Sequence, residues 1–115
     1  MGVESSSYRL TIMAPPETAV ELDTEYLLFQ LRKQVPNAKS YLNEDGKPSG
    51  QAGYWDTLAE DLKPFSLKHP EILFRIDERY QYETTVETRH FVQNGKAVNI
   101  EQVLTWPEFS PEMLV

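Results

Sequence analysis

The chain contains no cysteine, which removes disulfides, thiol nucleophiles and thiolate zinc sites. Histidine is limited to His69 and His90, and two isolated imidazoles do not make a site. No run approaches the about 18 apolar residues of a membrane span, and the amino terminus has no basic stretch leading into an apolar one. A cytoplasmic protein without a membrane segment is therefore expected. Positive charge is also short: 11 Lys and Arg against 18 Asp and Glu give a net charge of −7. Both halves are acidic, with eight acids to five bases up to Thr57 and ten to six beyond it. Such a field repels phosphate backbones, so direct nucleic-acid binding is disfavoured.

What is present is enough for one core. The 115 residues, 40% of them apolar, suit a single domain. A chain of this size buries roughly 60–70% of its unfolded surface. Six Tyr, five Phe and two Trp argue for a packed interior.

Periodicity gives the elements. Residues 1–7 are small and polar and read as a frayed end. From Tyr8 to Ala14 apolar and polar residues alternate as in a half-buried strand, stopped by Pro15 and Pro16. Thr18 with Glu21, or Asp23, starts a helix carrying Leu27, Leu28, Leu31 and Val35, with Tyr26 and Phe29 widening its apolar stripe. Pro36 and Asn37 stop it, and Ala38 to Leu42 reads as a second short strand. Asn43 to Gly53 holds three of the five glycines and reads as a mobile loop, the foremost candidate for a functional one. A second helix carries Leu58, Leu62 and Phe65, with Pro64 expected to kink it or make it restart near Ser66.

Ile72 to Tyr82 alternates strongly, and Glu78 is the one violation on its apolar side. Thr84 to Gln93 and Lys96 to Leu104 flank Asn94-Gly95, a hairpin signal because both central residues of a type I′ turn need positive φ. Residues 105–115 read as an irregular tail lying on a single domain of residues 8–104. There is no internal repeat and no low-complexity tract. The expected class is α+β: a ferredoxin-like sandwich, two helices on one face of a mostly antiparallel sheet, with a C-terminal hairpin.

The chemical inventory is thin. Ser66 lacks the strand-turn-helix elbow and flanking glycines of a serine nucleophile. Glu87 and His90, three apart in a strand, face opposite ways and cannot chelate together. Asp77 and Glu78 diverge for the same reason, and Glu60 and Asp61 read as a solvated helix face. Gly46, Gly50 and Gly53 match no phosphate loop. Neither a metal nor a cofactor is expected. Arg75, Arg79 and Arg89 beside Tyr80 and Tyr82 suit single-strand binding by type. Interleaved Asp77, Glu83 and Glu87 favour cross-strand ion pairing instead.

From Trp55 the sequence carries a recurring pattern: the tryptophan, EDLKPFSLKHPEILF at 60–74, an aromatic strand, and RHFVQNGK at 89–96. Over these 42 of 115 residues it resembles small YubB-like proteins of phages, plasmids and other mobile elements. The resemblance implies a ferredoxin-like fold and a mobile-element setting; its motifs are packing and turn features. Together these readings favour a non-enzymatic acidic module that binds a host or self protein. The candidate binding residues are Trp55, Arg75, Tyr80, Tyr82 and Arg89. The alternatives are a small-molecule or nucleotide binder using Arg75 and Arg89, and an inhibitor that mimics nucleic acid. A homodimer could form through an edge strand at Val98 to Leu104.

Overall fold

The computed structural model describes residues 5–19, 22–81, 85–102 and 108–115. Glu21 of the expected capping box, Glu83, Leu104 and residues 1–4 and 105–107 lie outside them. Four strands, β1 (Ser6–Met13), β2 (Leu73–Gln81), β3 (Thr85–Gln93) and β4 (Lys96–Glu101), form one sheet in the order β1-β2-β3-β4. Every pairing is antiparallel. Between β1 and β2 lie α1 (Pro16–Ala19), α2 (Thr24–Gln34), α3 (Pro36–Tyr41) and α4 (Leu58–Leu67). The class is α+β. β1 begins two residues ahead of the expected Tyr8, inside the stretch read as frayed, and Ser6 is buried.

One face of the sheet forms the core. Tyr8, Phe74, Ile76, Val92 and Ala97 pack there against Leu27 and Leu31 of α2, Ala38 of α3, and Leu58, Leu62 and Phe65 of α4. Asp23 starts α2, its side chain accepting the Tyr26 N–H at 3.0 Å. Tyr26 and Phe29 do not widen the buried stripe: each is 58% exposed.

The expected strand at Ala38 to Leu42 is instead helix α3, extended by Leu42. Residues four apart share a face in both helix and strand, so the burial of Ala38 and Leu42 fits either element. Pro36 decides. It holds Val35 extended at φ −118°, ψ 100°, ending α2, and then occupies the first helical turn, where its missing N–H costs nothing. With that strand absent, the ferredoxin-like strand order of the sequence reading is replaced by helices followed by a three-strand meander.

α4 runs through Pro64 without stopping. The proline and Glu60, whose carbonyl it deprives of a donor, both lie on the exposed side, where water can serve that oxygen. Ser66 sits fully buried at the far end of α4. Its hydroxyl donates to the Lys63 carbonyl and accepts the Gly95 N–H, both at 2.8 Å, docking the hairpin turn on the helix.

That turn is the Asn94-Gly95 hairpin, with φ of +49° and +77°. A Cβ at Gly95 would stand 2.8 Å from Leu67 Cδ2, the tip of a side chain that is 60% exposed and free to turn away. Gly95→Ala should therefore cost mainly its backbone strain, about 1–2 kcal/mol. Urea denaturation checks this, with an unchanged midpoint counting against it.

Candidate functional site

The main polar constellation crosses the helix-covered face of the sheet through all four strands. The register sets Tyr8 opposite Glu78 and His90 opposite Asn99. The Tyr8 hydroxyl donates to Glu78 Oε2 at 3.1 Å and accepts the Trp55 backbone N–H at 2.7 Å. Glu78 Oε1 lies 2.7 Å from His90 Nε2, and His90 Nδ1 lies 3.0 Å from Asn99 Oδ1. Glu78 is thus the charge that broke the apolar alternation of its strand, and it is compensated by groups on β1 and β3.

Burial and the neighbouring Glu78 charge hold the Tyr8 phenol far above its ordinary range, against the opposing pull of the Trp55 N–H. Burial would also raise Glu78, but the hydrogen bond and charge of His90, with the Tyr8 hydroxyl, outweigh it and hold the carboxyl low. A carboxylate beside an imidazole is an acid–base pair by type. Here both imidazole nitrogens already meet protein atoms, so the arrangement works as a tie across the strands.

Asp61 forms a second junction, not the solvated face expected of it. Its Oδ2 accepts from Trp55 Nε1 (2.8 Å), Asn37 Nδ2 (2.8 Å) and Thr57 Oγ1 (2.9 Å). Partial burial opposes ionisation, and these three donors still hold the carboxyl below its usual range.

The five residues singled out from sequence do not converge. Trp55 is buried, stacked on Tyr41 at 5.9 Å and committed to Tyr8 and Asp61. Tyr80 lies on the same side of the sheet, stacked on Tyr54. Arg75 and Arg89 lie on the opposite face, where Asp77 meets both at 3.2 and 3.5 Å, and Arg79 meets Glu87 at 3.3 Å. That face carries the expected ion pairing, with Arg75 and Arg89 sharing the one carboxylate of Asp77. Tyr82 lies outside the described residues. Asp77 and Glu78 point to opposite faces, as their adjacency requires.

The glycine-containing loop is not a free loop. Its Gly53 carbonyl accepts the Ser6 N–H at 3.1 Å and its Gly46 carbonyl accepts the Leu10 N–H at 2.8 Å, so it runs along the outer edge of β1. Asn43 Oδ1 accepts the N–H groups of Asp45 and Lys47, which closes the turn at its tip. Beyond that tip a groove of about 550 Å³ opens between β1 and α2. Leu10, Ile12 and Leu28 floor it, and Glu25, Glu44 and Asp45 stand around it with Thr24 and Gly46. Neither Lys nor Arg lines it among the described residues. Composition marks this loop in the sequence, but its place along β1 depends on the tertiary position of the strand edge.

At the opposite edge, Val115 exchanges two backbone hydrogen bonds with Ala97 of β4, at 2.7 and 3.1 Å. Phe109 stacks on Phe91 at 4.2 Å. The described part of the tail therefore lies on the sheet. Among the described residues, no helix is long and apolar enough to cross a membrane, and no three His, Asp or Glu side chains gather as a metal site.

A carboxyl held low in the folded state stabilises the fold above the ordinary carboxylate range, and that contribution is lost as pH falls through the depressed value. Glu78→Gln should lower stability by about 1–3 kcal/mol at neutral pH, since it removes a charge-assisted bond to His90. The gap between parent and variant should close in acid. Urea midpoints measured across the acidic range check this; a gap that stays constant would contradict the assignment.

Compared with protein-family models, with curated proteins and with solved structures, the chain matches none.

Proposed function

We propose that this chain is a non-enzymatic, acidic protein-interaction module that receives its partner in the groove between β1 and α2. The observation that carries the reading is the apolar floor of Leu10, Ile12 and Leu28 surrounded by three carboxylates. Apolar area supplies association energy and a charged rim supplies selection and steering. The polar constellation around Glu78 is tied across the strands, and Arg75 and Arg89 close on Asp77, which favours a protein partner over a nucleotide.

The likeness of the sequence at residues 55–96 to YubB-like proteins supports a mobile-element setting, with a host or self protein as partner in the cytoplasm. A homodimer through β4 is a second form of this reading: Val115 takes the outward backbone groups of Ala97, while those of Asn99 have no partner among the described residues.

Site-specific photocrosslinking in cells tests the proposal. A crosslinker at Thr24, exposed on the groove wall, should give discrete protein adducts; one at Glu60, exposed on α4, should not. Adducts from Glu60 alone, or the same pattern from both positions, would place the partner elsewhere and defeat the assignment.

A further inference from the structure

Resting on the groove as docking surface, we infer that its occupant is a short extended segment bearing Lys or Arg two residues to either side of an apolar residue, so that the three side chains share one face, added as a strand to β1 at Ile12. β1 is the outer strand of the sheet. The bonds from Ser6 and Leu10 to the loop show that its even-numbered residues turn their backbone groups away from β2. The loop covers this edge only as far as Leu10. Two residues on, the Ile12 N–H and C=O point outward with no partner among the described residues. An unpaired edge beside an apolar groove is the arrangement that captures extended peptides: the backbone supplies hydrogen bonds and alternate side chains enter the groove.

The geometry also sets length and charge. The open stretch from Leu10 to Met13 accommodates about four residues at roughly 3.3 Å each. An added strand would turn one set of side chains onto Ile12 and Leu28, beneath Glu25 on the α2 side, while Glu44 and Asp45 meet it at the loop end. No ion pair takes Glu25, Glu44 or Asp45 among the described residues, so all three carboxylates remain available to incoming cations. A second copy of this chain, at −7, is a poor match for that rim.

The test is an amide-resolved NMR titration with three synthetic peptides: Lys-Thr-Val-Thr-Lys, the same sequence with Glu for Lys, and the basic peptide N-methylated at alternate amides. The basic peptide should shift the amides of Leu10, Ile12, Leu28 and Gly46. Changing Glu25, Glu44 and Asp45 together to Lys should weaken it roughly tenfold at low salt, as expected for partly exposed ion pairs. N-methylation should abolish the shifts.

Equal binding of the acidic peptide in the groove overturns the charge of the partner and leaves the docking reading intact. Equal binding of the N-methylated peptide overturns strand addition. Shifts confined to other surfaces, or no binding while Thr24 still crosslinks, overturn the inference alone. No binding together with no Thr24 adducts removes both.

Discussion

The Tyr8 hydroxyl is where the helical layer is fastened to the sheet. Tyr8 is 1% exposed, and a hydroxyl at that depth must find partners or lose the free energy of its hydration. It finds two, the Glu78 carboxylate within the sheet and the backbone N–H of Trp55 above it. Trp55 in turn reaches Asp61 on α4, and Asp61 reaches Asn37 on α3. One polar path thus runs from β3, through Glu78 and Tyr8, to two helices. The aromatic rings of Tyr8, Tyr41 and Trp55 enclose its middle. The other end of α4 is fixed independently by Ser66 and the Gly95 N–H. A helix held at both ends by part-buried hydrogen bonds has its orientation set more narrowly than apolar packing alone would set it.

Several elements could be read from sequence because one physical signal dominated each. The alternation of β1 and β2, the leucine spacing of α2 and α4, and Asn94-Gly95 each point to one local structure. α3 was misread because its informative residues are four apart, a spacing that suits both helix and strand. Pro36 signals the stop of α2, but a proline equally suits the first turn of the next helix. Tyr26 and Phe29 were misplaced because hydrophobicity alone does not say which edge of a widened stripe faces the sheet.

The candidate site was harder to read, because its parts meet through register. Glu78 was visible as a charge on an apolar face, a sign that a partner must lie nearby. Naming His90 and Tyr8 as those partners requires the pairings of β2 with both β1 and β3, which no local pattern states. The same limit hid the groove, made by a strand edge, a helix face and a loop tip that are distant in sequence. Arg75 and Arg89 drew attention as cations, yet their significance depended on Asp77 lying between them.

The distribution of charge connects these observations. On the open face of the sheet, Arg75 and Arg89 share Asp77 and Arg79 takes Glu87, and with Arg9 and Lys96 beside them this face carries a positive excess. The helix-side carboxylates Glu78 and Asp61 are occupied by neutral or imidazole donors inside the fold. The excess of negative charge must therefore be expressed on the remaining surface, and the rim of Glu25, Glu44 and Asp45 is one place where it gathers, beside the half-buried Leu10 and Ile12 and the buried Leu28. Each sheet edge is partly covered, one by the loop at Ser6 and Leu10 and the other at Ala97 by Val115. The uncovered interval of β1 at Ile12 is the one that lies beside the apolar groove. The proposed preference of the groove for a basic strand rests on that coincidence of open backbone, apolar floor and unpaired carboxylates.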